Sequence, residues 1–133
     1  MWYGSILKSL RSSGLFAEVS LIGAKVRASL SETLFFDIHF DPTTGSYSYA
    51  LIDLTSPYSG DKRILGWDDY PHEGVEAICR LSSYPHHFQR RGSNGEWIFE
   101  ASTMRGDVER EMSLVLDTLN RQLNHESPQY NST

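Results

Sequence analysis

Between Lys25 and Asp68 the chain changes character at every second residue, and this period constrains the fold more than any other feature. In KVRASL (25–30), Val26, Ala28 and Leu30 alternate with Lys25, Arg27 and Ser29. In LFFDIHFD (34–41), Leu34, Phe36, Ile38 and Phe40 alternate with Phe35, Asp37, His39 and Asp41. Successive side chains of a strand point to opposite faces, so each segment reads as a strand with one buried face. The turn-forming PTTG (42–45) leads into SYSYALIDL (46–54), and SPYSGD (56–61) leads into KRILGWD (62–68). Short polar turns between such strands favour an antiparallel meander.

A four-residue loop at 42–45 sets Asp41 against Ser46, Phe40 against Tyr47, Ile38 against Tyr49 and Phe36 against Leu51. Pairing Ile52 with Ile64 would continue the same apolar face through Leu51–Leu65 and Tyr49–Trp67. The opposite face then carries His39, Ser48 and Asp68 in one cross-strand row, with Asp37, Ala50 and Gly66 in the next. Small residues there would let a ligand or another segment approach the sheet closely.

Helical periods flank the strands. WYGSILKSLRSS (2–13) places Ile6, Leu7 and Leu10 on one side, with Gly14 as its stop. DVEREMSLVLDTLNRQL (107–123) places Val108, Met112, Val115, Leu116, Leu119 and Leu123 on one side, with Asp107 as N-cap. Its polar side is expected to hold Glu109, Arg110, Glu111, Asp117, Asn120 and Arg121. EWIFEA (96–101) reads as a last short strand. The expected architecture is one α+β domain over 1–123: an antiparallel meander of about four or five strands, an N-terminal helix and a C-terminal amphipathic helix. Residues 124–133 read as a flexible polar tail.

With 17 acidic against 12 basic residues the formal charge is −5, which lowers the expectation of nucleic-acid binding without removing local basic patches such as Lys62 and Arg63. The single cysteine, Cys79, excludes an intrachain disulfide and a multi-thiolate metal site. The sequence shows neither a secretory leader nor a membrane span, so a cytoplasmic location is expected.

The chemistry gathers in WDDYPHEGVEAICRLSSYPHHF (67–88), which holds three of the five histidines and two adjacent aspartates. Zinc would accept His72, His86, His87 and Asp68 or Asp69, with Glu73 as an oxygen ligand or general base, but the spacing matches no structural zinc pattern. No metal and no cofactor are therefore expected. A metal-independent ribonuclease needs a base, an acid and a cation, and His72, His86, His87, Arg90 and Arg91 offer those groups. Tyr70 and Tyr84 flank the histidines as candidate stacking partners for bases. The plain alternative is a loop braced by histidine hydrogen bonds, with Asp68 and Asp69 opening a turn.

SYSYALIDL, KRILGWDDYPHE and YPHHF, followed by an amphipathic helix, resemble in order and spacing the TumE family, small toxin components of prokaryotic toxin–antitoxin pairs. The resemblance spans 25–123. The chain has Asp68–Asp69 where the family pattern has Asp-Asn, Glu73 where it has a second histidine, and Gln89 where it ends in histidine. The resemblance implies a toxin neutralised by a cognate antitoxin protein. It raises the expectation of the ribonuclease that the residues above could form, an endoribonuclease acting on RNA through catalytic His86, His87 and His72, with Arg90 or Arg91 as cation and Asp68 orienting a histidine. Tyr70, Tyr84, His39 and Ser48 would bind substrate. A homo-oligomer is compatible with this reading and a membrane partner is not. The alternatives are a non-catalytic interaction module on the same fold and a metal-dependent phosphodiesterase or hydrolase.

Overall fold

Every strand pairs with the strand that follows it in sequence, because each connection is a short turn or a returning segment. The structure, a computed structural model, describes residues 1–125. Helix α1 (Tyr3–Ser12) precedes strands β1 (Glu18–Ile22), β2 (Lys25–Ser29), β3 (Leu34–Phe40), β4 (Tyr47–Asp53) and β5 (Arg63–Asp68). A single-turn helix α2 (Glu76–Cys79) leads to β6 (His87–Arg91), β7 (Trp97–Ala101) and the closing helix α3 (Val108–His125). The result is one seven-stranded antiparallel sheet in the order β1 to β7. The expected tail at 126–133 lies outside the described residues.

The α+β class and the two flanking helices agree with the sequence, whereas the strand number of four or five is corrected to seven. The additional strands are short. In β1 only Val19 is buried, so EVSLI leaves little alternation to read. In β6, HFQRR carries its buried positions on His87 and Gln89, which a hydrophobic pattern does not register.

The expected register holds from Phe40–Tyr47 through Ile38–Tyr49 to Phe36–Leu51, and from Tyr49–Trp67 to Leu51–Leu65. The pairing of Ile52 with Ile64 is corrected. The ladder shifts after Leu51, and Ile52 faces Arg63. Ile64 is thereby the extra residue of a bulge, and its side chain joins the core beside Leu65.

The helices cover one face of the sheet. Ile6 and Leu10 of α1, and Val108, Met112, Val115 and Leu119 of α3, close over Val26, Ala28, Phe36, Ile38, Tyr49, Leu51 and Trp67. Burying each such aliphatic side chain contributes about 1.5–3 kcal/mol, which holds α1 in place where ten residues alone would not form a stable helix. Ser13 caps α1 and Gly14 follows at φ +73°, a conformation glycine adopts without a Cβ penalty.

Glu111 corrects the expected polar face of α3. It is buried, accepts the Tyr49 hydroxyl at 2.8 Å and the Arg105 amide at 2.7 Å, and so fastens the start of α3 to the central strand. Burial, followed by the neighbouring Glu111 carboxylate, raises the Tyr49 pKa, so the phenol remains the donor.

The other face carries no long helix. The segment between β5 and β6 bends back over part of it, with α2 against β7 and Ile78 fully buried. Gly66 lies beside Ala50, and a Cβ there would stand 2.6 Å from the Tyr49 carbonyl, so β4 and β5 can approach this closely only with glycine at that position.

Candidate functional site

One cross-strand row organises the uncovered face. Lys25, His39, Ser48, Asp68, His87 and Ala101 stand opposite one another across β2 to β7. The expected row of His39, Ser48 and Asp68 is therefore present, and β6 extends it to His87. The adjacent row holds Arg27, Asp37, Ala50, Gly66, Gln89 and Phe99.

Asp68 closes β5 and opens the following turn by accepting the Tyr70 amide at 2.9 Å. Asp69 points elsewhere and ties the strand end to Ser46, whose hydroxyl it accepts at 2.8 Å. The turn carries His72 back over the sheet in a left-handed conformation, φ +39°, that is uncommon for residues other than glycine. Its Nε2 lies 3.9 Å from Asp68 Oδ1. That nitrogen is buried and has no hydrogen-bond partner.

His87 is fully buried on the same side. Its Nδ1 is 3.0 Å from the Pro85 carbonyl, and its Nε2 is 3.3 Å from Asp68 Oδ1 and 3.0 Å from Gln89 Oε1. The ring packs edge-on against His72 with centroids 5.1 Å apart. Asp68, His72 and His87 thus bring one carboxylate oxygen and two imidazole nitrogens within 4.8 Å of one another.

The set of catalytic residues expected from sequence divides here. His72, His87 and Asp68 come together, but His86 does not join them. His86 lies just before β6, and its ring stacks on Tyr47 with Nδ1 3.0 Å from that hydroxyl, on the helix-covered side. Arg90 is exposed and paired with Glu100 at 3.0 Å. Arg91 lies over the Trp97 ring at 3.7 Å and donates to the Arg63 and Gly95 carbonyls. Neither arginine reaches the histidines.

A groove of about 820 Å³ runs along this end of the sheet, and His39, Ser48, Arg63, Asp68, Tyr70 and His72 line its polar side. Trp2, Tyr3 and Phe40 line the other. Three of the four residues expected to bind substrate therefore share it. Tyr84 is not among its lining residues. Arg63, marked in the sequence only as half of a local basic patch, is the cation on this side, since the bulge after Leu51 sets its side of the sheet. It pairs with exposed Asp61 at 2.9 Å. Tyr70, largely exposed, stands edge-on to His72 at 4.8 Å.

The electrostatics favour neutral imidazoles in the groove. Burial lowers the His72 pKa, with Asp68 opposing and His87 and Arg63 adding to the effect. At His39, whose rim is exposed, partial burial and then the charge of Lys25 lower it. Lys25 and Arg27 are themselves held by Asp37, Arg27 through two bonds of 2.8 and 2.9 Å and Lys25 through one of 3.0 Å.

None of the helices among the described residues is long and apolar enough to cross a membrane. No protein-family model matches the chain, and no match emerges from the curated proteins or from the solved structures.

Proposed function

We propose that the chain is a toxin-like protein that cleaves RNA in the groove of the uncovered sheet face and is neutralised by a protein partner that covers this groove. The observation that carries the cleavage site is the meeting of Asp68, His72 and His87 within 4.8 Å beside a groove that also holds His39, Ser48 and Arg63. The toxin assignment rests on the resemblance of the three sequence segments to the TumE family.

His87 has no exposed surface, so proton exchange with substrate falls to the histidines that line the groove. Neutral His39 takes the proton of an RNA 2′-hydroxyl. The 2′-oxygen attacks the adjacent phosphorus, the P–O5′ bond breaks, and a 2′,3′-cyclic phosphate and a 5′-hydroxyl result, the latter taking its proton from water. Arg63 meets the phosphate charge, and neutral His72 offers a ring N–H to the departing oxygen. Tyr70 offers a ring face to a base.

Induced expression in a bacterial host, with total RNA examined, tests this reading. Growth arrest with RNA fragmentation is expected for the wild type and for Arg90→Ala, and neither for His72→Ala at equal soluble yield. Arrest that is unchanged by His72→Ala would contradict it.

A further inference from the structure

We propose that Asp68, His72 and His87 form a site for one divalent transition-metal ion of the zinc type, bound by Asp68 Oδ1 and the two imidazole Nε2 atoms with its open side toward the groove. The site deepens the cleavage reading, because His72 belongs to both, but ion binding is measured without RNA and either can fail alone.

The orientation of His87 carries the inference. Its two ring nitrogens face three oxygens: Pro85 O, Asp68 Oδ1 and Gln89 Oε1. A neutral imidazole has one proton, and donating it from Nδ1 to the Pro85 carbonyl leaves the Nε2 lone pair aimed at a carboxylate. A half-turn of the Gln89 amide would present its NH₂ group to Nε2, yet Asp68 has no such option. A cation between Nε2 and Oδ1 resolves the mismatch, and a metal ion, unlike a second ring proton on His87, would also meet the His72 nitrogen. Metal-bound histidines are commonly held in this way, with the second ring nitrogen donating to a backbone carbonyl.

His72 supplies an independent observation. Its Nε2 is buried, lacks any hydrogen-bond partner and points to the same carboxylate oxygen. A nitrogen removed from water without a partner is unfavourable, and a metal ion is a partner for its lone pair.

The spacing agrees. Metal–ligand bonds of about 2.0–2.2 Å in a tetrahedral arrangement set ligand atoms roughly 3.3–3.6 Å apart. The observed edges are 3.3 Å and 3.9 Å, and all three atoms lie within 4.8 Å, so small side-chain rotations complete the triangle. Two nitrogens and one oxygen suit zinc better than calcium or magnesium, which take oxygen ligands. Three protein ligands leave a position for water or a phosphate oxygen, as in catalytic rather than structural zinc sites. An ion there would serve as the electrophile for the departing oxygen.

The test uses the untagged full chain, stripped by chelator and dialysed. It is titrated with Zn²⁺ by calorimetry and with Co²⁺ by visible absorption, the latter reporting a tetrahedral site. One ion per chain is expected for the wild type and for His39→Ala, with a raised melting temperature, and stoichiometric binding is expected to be lost in both His72→Ala and Asp68→Asn. These two variants are preferred to His87→Ala because His87 is buried and its loss would disturb folding. Absence of a stoichiometric ion in the wild type, or an ion retained by both variants, would overturn the proposal. RNA cleavage by wild-type protein that takes up no stoichiometric ion on titration would overturn the ion and leave the cleavage reading standing. One bound ion without RNA cleavage would do the reverse.

Discussion

The carboxylate of Asp68 stands 3.3 Å from Nε2 of His87, across neighbouring strands and beneath a ring that solvent does not touch. The pair fixes β6 in register with β5 at the point where the uncovered face carries its chemistry. The other polar contacts of His87 are to a backbone carbonyl and the Gln89 amide.

Replacing His87 by alanine removes a fully buried ring and strips Asp68 and Gln89 of a shared partner. A loss of about 3 kcal/mol of folding stability is expected, from the cavity together with unpaired polar groups. Chemical denaturation of His87→Ala and Arg90→Ala should separate the two, with the exposed Arg90–Glu100 pair costing at most about 1 kcal/mol.

Stability should depend on pH through the histidines. His39, His72 and His86 all have lowered pKa values, in each case with burial as the first cause. The unfolded chain then binds more protons than the folded one below the ordinary histidine value of about 6.5. The stabilisation is fully present above that pH and is lost as pH falls through the lowered folded values. The thermal midpoint should therefore decline between about pH 7 and pH 5, and the decline should be smaller in the His39→Ala/His72→Ala double variant.

Asp37 sets a second, more acidic window. Burial raises its pKa, but the bonds from Arg27 and Lys25 outweigh that and leave it lowered. Its contribution is present above the ordinary carboxylate value and is lost as pH falls below about 4. Asp37→Asn should cost about 2 kcal/mol at neutral pH, less than for a wholly buried triad because Lys25 and Arg27 are each about a quarter exposed. The difference from wild type should shrink once the wild-type carboxyl protonates.

How much of this was legible in the sequence follows from the kind of signal each residue carries. The row of His39, Ser48 and Asp68 can be read because aromatic and aliphatic residues fill the alternate positions and leave one consistent register. His87 cannot be assigned to that row from HFQRR, because it is a polar residue buried with its ring nitrogens hydrogen-bonded, which a hydrophobic pattern does not register. The face on which Arg63 falls is hidden by the bulge, which resets the parity of β5 at its first residues. The buried role of Glu111 is invisible for a related reason: its partners are the Tyr49 hydroxyl and two backbone amides, none of which leaves a helical period. His86 and His87 look like one motif in sequence, yet His87 opens β6 while His86 lies just before it, and their rings pack apart, against His72 and Tyr47 respectively.

The most direct test of RNA cleavage in this groove is made with purified protein and an end-labelled single-stranded RNA. The wild type and Arg90→Ala should cut it to products ending in a 2′,3′-cyclic phosphate, and should leave a strand with a 2′-deoxy substitution at the cut site intact. His39→Ala and His72→Ala should each be slower by about 100-fold or more, the range expected when a proton acceptor or a charge-stabilising group is removed. Folded wild-type protein that leaves RNA intact, or cleavage unaltered by both substitutions, would contradict the account.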